Sequence, residues 1–129
     1  SDELLVAARD PHGVRPLALG RLQDAYIVAS ETSSLDLLRA ELVKEIAPGE
    51  VVVFERNGFM RSLYPFPKVT PRPCIFELVY FARPDSIVFG RSVYAARKVM
   101  GRLLAEESGV EADVVRRDRC QLSISDLKA

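Results

Sequence analysis

The sequence predicts an α+β fold in two unequal parts. Three observations carry this reading. Residues 1 to 65 hold short β-prone runs, with turn signals at Asp10-Pro11-His12-Gly13, Pro48-Gly49 and Asn57-Gly58. Pro65, Pro67, Pro71 and Pro73 then crowd one stretch that cannot continue a sheet. Beyond it, Val93, Ala96, Met100, Leu103 and Leu104 recur at helical spacing.

The elements follow in order. Leu4 to Arg9 reads as a buried strand. In the turn after it, Pro11 presets φ and Gly13 can take φ > 0. Leu17 to Gly20 and Tyr26 to Ser30 are short strands joined through Gln23-Asp24. Ser33 and Ser34 are candidate N-caps for a helix through Leu35, Leu38 and Leu42. Glu50 to Glu55 is strongly β-prone. Asn57-Gly58 is a tight hairpin signal, with Phe59 to Tyr64 as the return strand. In Ile75 to Phe81, the spacing of Phe76, Val79 and Tyr80 predicts a short helix. Arg91 to Ser108 is a helix with Gly109 as its C-cap. Ala112 to Val115 opens a further strand.

Composition narrows the function classes. The 129 residues suit one small domain or parts of two. A hydrophobic fraction of 48% is that of a globular chain and excludes general disorder. Eighteen basic and eighteen acidic residues balance to a net charge of zero. That argues against a nucleic-acid surface or a polybasic membrane anchor. No run approaches the ~20 apolar residues of a membrane span. The start lacks the order of a secretion signal. Cys74 and Cys120 form no CxxC pair, and both are expected as reduced thiols in the cytoplasm.

Few residues offer chemistry by type alone. His12 sits in a Pro-Gly turn without a placed partner and reads as an exposed turn residue. The Ser30-Glu31-Thr32-Ser33-Ser34 run could bind an anion at a helix start, but helix capping is the plainer reading. Arg83 and Asp85 sit between two apolar runs and read as a structural ion pair or cap.

Longer blocks are more specific. They include Arg9-Asp10-Pro11-His12-Gly13-Val14-Arg15-Pro16-Leu17, Val28-Ala29-Ser30-Glu31-Thr32 with Leu35-Asp36, and Pro48-Gly49-Glu50. Glu77, Tyr80-Phe81-Ala82-Arg83-Pro84-Asp85-Ser86, Ser92-Val93-Tyr94-Ala95-Ala96-Arg97, Met100-Gly101 and Glu111-Ala112-Asp113-Val114-Val115 follow in the same order. Together they resemble the domain junction of the amidophosphoribosyltransferase family (glutamine phosphoribosylpyrophosphate amidotransferases) of purine biosynthesis. The resemblance implies four segments. Residues 1–65 are the C-terminal part of an N-terminal-nucleophile glutaminase domain, an αββα sandwich. Residues 66–73 are a Pro-rich linker. Residues 74–115 open a Rossmann-like phosphoribosyltransferase domain, and 116–129 are a divergent tail.

By the same resemblance, the parent enzyme hydrolyses glutamine and passes the ammonia to phosphoribosyl pyrophosphate, giving phosphoribosylamine. Its implied partners are those two substrates and further copies of itself, with no nucleic acid and no membrane. The implied cofactors are Mg²⁺ and, in one branch, a [4Fe–4S] cluster. Cys74 matches the first cluster ligand, although cluster-free relatives also carry Cys there. A cluster needs four thiolates and this chain has two, so Cys74 is expected here as a buried free thiol. The residues that do the chemistry are expected elsewhere in the parent. The N-terminal Cys nucleophile precedes the matched blocks, and Ser1 has no Gly neighbour and precedes a mid-domain strand. The paired Asp and phosphate loop of the transferase have no counterpart in this sequence. No catalytic residue is therefore assigned, and the isolated chain is expected to be inactive. The alternatives are a fragment of another glutamine amidotransferase, such as a glucosamine-phosphate synthase, or a non-catalytic module that pairs with other subunits.

Overall fold

A computed structural model describes residues 4–109. The first part is two three-stranded antiparallel sheets. One has the order β1-β5-β6, from β1 (Leu4–Ala8), β5 (Val51–Glu55) and β6 (Met60–Leu63). The other has the order β3-β2-β4, from β2 (Ala18–Leu22), β3 (Ala25–Ala29) and β4 (Glu41–Glu45). Ala7, Val52 and Phe54 of the first sheet meet Leu19 of the second and Ile46 just past β4 in one buried cluster. The Tyr26 and Phe54 rings touch across it, with centroids 4.9 Å apart. Truncating Leu19 or Ile46 to Ala would cost about 2–5 kcal/mol, because neither site can collapse onto solvent.

The helix α1 (Thr32–Leu38) covers the outer face of the second sheet. Gly20 makes this possible. A Cβ there would stand 2.6 Å from Leu35 Cδ2, so the missing side chain admits buried Leu35. The tight turns follow the sequence. Gly13, Gly49 and Gly58 all take positive φ, and Gly58 closes the β5–β6 hairpin through its N–H to Glu55 O (2.9 Å).

The second part is a π-helical turn (Glu77–Phe81), a small hairpin of β7 (Ile87–Val88) and β8 (Arg91–Ser92), and the helix α2 (Val93–Glu107). Leu78, Ala82, Val88 and Val93 form its core, flanked by Phe89, Ala96 and Met100. The wide turn closes with Ala82 N–H donating to Glu77 O (3.1 Å), a bond five residues long. Ser92 caps α2, accepting from Ala95 N–H (3.3 Å). Among the described residues no helix is long and apolar enough to cross a membrane.

Several expectations are corrected. The first strand is present but mostly exposed: only Ala7 is buried, and Val6 is 55% exposed on the outer face. Neither Ser33 nor Ser34 caps α1. The cap position is Glu31, which keeps the extended conformation of β3 (φ −141°, ψ 147°). The helix stops at Leu38 with Arg39 in the left-handed region (φ 55°), and Leu42 lies in β4. Pairing with β2 overrides the helical spacing of Leu35, Leu38 and Leu42. A bulge at Leu19/Gly20 accommodates the shift. At the other end, Arg91 and Ser92 belong to the β7–β8 hairpin, so α2 starts at Val93, and its C-cap is Ser108 instead of Gly109. Leu103 and Leu104 are exposed beyond the small core. The strand expected at Ala112 to Val115 lies outside the described residues, as do Ser1, Cys120 and the tail.

Candidate functional site

The chemistry-bearing side chains converge where the two parts meet. Three ionic clusters hold that seam. In the first, Pro84 interrupts the chain and forces the 83–86 turn, closed by Ser86 N–H to Arg83 O (3.0 Å). Arg83 grips Asp85 with two bonds, Nε to Oδ1 (3.0 Å) and a second nitrogen to Oδ2 (2.9 Å). The Arg83 guanidinium holds the Asp85 carboxyl below its ordinary range, and Asp85 in turn raises Arg83. The turn then docks on the start of α1. Glu31 Oε2 accepts from Arg83 N–H (2.8 Å) and from Ser86 Oγ (2.9 Å). Thr32 Oγ1 accepts from Ile87 N–H (2.8 Å). Two consecutive side chains of the first part thus satisfy three donors of the second.

The second cluster is built on Arg9, which is 6% exposed at the end of β1. Its Nε donates to Arg15 O (2.9 Å), and its other nitrogens reach Glu45 Oε1 (3.0 Å), Ile46 O and Gly13 O (3.3 Å). Its guanidinium also lies over the Phe89 ring, 5.7 Å from the centroid. One side chain therefore fixes the 10–13 turn, the end of β4 and the second part's hairpin. Beside it opens a cavity of about 310 Å³, lined by Arg9, Glu45, Pro48, Pro71, Pro73 and Phe89 among others.

In the third cluster, Arg15 reaches from the first part to Glu77 in the π-helical turn. Glu77 is 1% exposed, and burial raises its pKa. Arg15 opposes that shift and Glu31 adds to it. The Arg15 guanidinium also lies 5.0 Å from the Phe81 ring centroid. Behind the turn, buried Arg97 of α2 donates to Leu78 O and Ala82 O, both at 2.8 Å. This satisfies carbonyls that the irregular turn leaves open.

The residues singled out by sequence fall as follows. Arg83 and Asp85 form the expected ion pair, which is exposed and lies within the 83–86 turn, while the bond across the seam is made by the Arg83 N–H. His12 is exposed, with Nδ1 3.4 Å from Thr70 O. Cys74 is a free, half-buried thiol whose N–H donates to Val14 O (3.0 Å). Among the described residues no three His, Cys, Asp or Glu gather as a metal site. The Ser30 to Ser34 run places the Glu31 carboxylate at the helix start, where it would repel an anion. Glu31, Arg9, Arg97 and the Arg15–Glu77 pair were not singled out as site residues by the sequence reading. Arg9 carried one signal, a lone cation closing an apolar strand just before a Pro-Gly turn.

Known proteins share this fold. No family model matches the chain. The amidophosphoribosyltransferase of Mycobacterium tuberculosis is 51% identical over 114 residues, which is 88% of this chain and 21% of that protein. The chain matches one segment of amidophosphoribosyltransferase. The chloroplastic amidophosphoribosyltransferase 1 of Arabidopsis thaliana is 52% identical over 116 residues, 89% of this chain and 20% of that protein. Among solved structures, the glutamine phosphoribosylpyrophosphate amidotransferase of B. subtilis, complexed with ADP and GMP, superimposes with a TM-score of 0.84. It is 41% identical and covers 99% of this chain, against 28% of its own. The chain thus spans about a fifth of the length of the curated amidophosphoribosyltransferases it matches. The resemblance drawn from the residue blocks is borne out, and neither alternative is favoured by these matches.

Proposed function

We propose that this chain is the segment of an amidophosphoribosyltransferase that joins its glutaminase and phosphoribosyltransferase domains. The observation that carries this reading is the 51% identity to the M. tuberculosis enzyme over 88% of the chain. In the parent, water hydrolyses the glutamine side-chain amide to glutamate and ammonia. The ammonia lone pair then forms a C–N bond at the anomeric carbon of phosphoribosyl pyrophosphate. The C–O bond to pyrophosphate breaks, pyrophosphate leaves with its electron pair, and a proton passes to solvent.

The residues of this segment orient those two halves and hold none of the reacting groups. Residues 1–65 are the end of the glutaminase domain, 66–73 the linker and 74–115 the start of the transferase. The αββα description rests on three layers: α1, the β3-β2-β4 sheet and the β1-β5-β6 sheet. Apolar Val6 on the outer face of β1 suits a fourth, helical layer supplied by the parent. Mg²⁺ would accompany the phosphoribosyl pyrophosphate substrate. A [4Fe–4S] cluster does not fit this segment alone, since it carries two cysteines where four are needed. Homo-oligomerisation and a cytoplasmic location belong to the same reading. The test is a pair of assays. The full-length protein that contains this segment should release pyrophosphate from phosphoribosyl pyrophosphate when given glutamine, and the isolated 129-residue chain should not. A full-length protein inert toward both substrates overturns the proposal.

A further inference from the structure

We propose that Glu31 is a positioning residue that couples the two half-reactions, by fixing the 83–87 turn of the transferase part against α1 of the glutaminase part. The inference rests on the reading above. Its ground is geometric. Among the described side chains that cross the seam, Glu31 alone gathers two donors of the other part on one oxygen, the Arg83 N–H (2.8 Å) and Ser86 Oγ (2.9 Å). Its neighbour Thr32 takes the next donor along, Ile87 N–H (2.8 Å). The turn so held is rigid on its own side. Ser86 O accepts from Val93 N–H (3.1 Å) and Pro84 O from Tyr94 N–H (3.0 Å), so the first turn of α2 follows the latch. A shift at Glu31 is therefore passed to a 15-residue helix as a rigid lever.

Among the described residues, the carboxylate's shorter bonds both cross the seam, and its one bond within its own part is long. It sits at the cap position of α1 yet makes no side-chain cap bond there. Its oxygen is turned toward the second part, with only Ser33 Oγ (3.5 Å) as a neighbour from its own helix.

The experiment compares two rates in one sample of the full-length protein: pyrophosphate release with glutamine, and with ammonium chloride in its place. Added ammonia bypasses the glutaminase half. A loss of folded protein lowers both rates alike, so their ratio reports coupling alone. Glu31→Ala should lower the glutamine-to-ammonia ratio about tenfold, since small misplacements of reacting partners are costly. Glu31→Gln keeps an oxygen able to accept both donors and should restore the ratio to within about twofold of wild type. Thr32→Val removes the second acceptor at constant shape and should lower the ratio by about threefold, so it carries the test if Glu31→Ala fails to fold. A ratio unchanged in both Glu31→Ala and Thr32→Val overturns the inference. A ratio lowered equally by Glu31→Gln and Glu31→Ala also overturns it, since charge and not the seam bonds would then be at work. A wild-type protein with neither activity overturns the functional reading itself.

Discussion

Glu77 Oε1 lies 2.5 Å from Arg15 Nε, yet no N–H is aligned on that oxygen. The pair is in ionic contact without a hydrogen bond, and the acid is buried while the Arg is more than half exposed. Burial therefore outweighs attraction, and the pKa of Glu77 lies above the ordinary 4.5. A raised acid binds its proton more tightly folded than unfolded. Its contribution to stability is complete below the ordinary value and is lost as pH rises through the raised one. Glu77→Gln should raise the melting temperature at pH 7 by a few degrees, about what one kcal/mol gives in a small domain. The gain should fade as pH falls toward 4. Thermal unfolding across pH checks this, and a constant offset at every pH would contradict it.

Glu50 behaves in the opposite way. It is 1% exposed, and burial pushes its pKa up, but hydrogen bonds from Lys44, Ser62 and the Ala47 N–H outweigh that and bring it below 4.5. The Ala47 bond is 2.8 Å and closes the turn before β5. A lowered acid stabilises above its unfolded pKa, and that stability is lost as pH falls through the folded value. Glu50→Gln should destabilise by roughly 1–3 kcal/mol at pH 7, with the difference shrinking below the ordinary carboxylate range. Denaturant titrations at pH 7 and pH 3.5 measure both arms.

Gly20→Ala should destabilise by about 1–3 kcal/mol through overpacking. The new Cβ would meet both Leu35 methyls, at 2.6 and 2.9 Å, and Glu41 O at 3.2 Å. Leu35 is 1% exposed and has no room to retreat. Pairing the change with Leu35→Ala should recover part of the loss. Strict additivity in that double-mutant cycle would show that the contact is not the cause.

Arg97→Lys should cost about 2–4 kcal/mol despite keeping the charge. A lysine cannot span Leu78 O and Ala82 O at once, so one carbonyl of the π-helical turn loses its partner. The expected sign is faster amide exchange at Ala82 and its neighbours. Unchanged exchange there would place the role of Arg97 elsewhere.

Legibility in the sequence followed locality. Turns at Gly13, Gly49 and Gly58 were readable because each depends on one residue able to take positive φ. The β5–β6 hairpin and the body of α2 were readable for the same local reasons. β4 was not, because its strand identity comes from pairing with β2, while Leu35, Leu38 and Leu42 keep a helical spacing. The exposure of β1 was hidden too, since an apolar run states its preference and not what covers it. Of the seam, the Arg83–Asp85 pair was legible from two-residue spacing. The Glu31–Ser86 bond spans 55 residues, and although each end lies in a recognisable block, nothing in the sequence pairs the two. Arg9 and Arg97 bond mainly to backbone carbonyls, which every sequence supplies, so no complementary side chain announces them.

The alternation Pro71-Arg72-Pro73-Cys74 has one more consequence. Only Arg72 and Cys74 have N–H groups to offer, and both are used, to His12 O (2.8 Å) and Val14 O (3.0 Å). The segment is thus a stiff bracket laid along residues 12–14, with little rotational freedom left to surrender. A short stiff tether keeps the ends it joins at high effective concentration, on the order of millimolar or above. The few bonds at Glu31 and Thr32, each worth about 1 kcal/mol, then act as intramolecular contacts. Lengthening this bracket by a few glycines would dilute them, leaving every seam residue in place but the seam itself more often open.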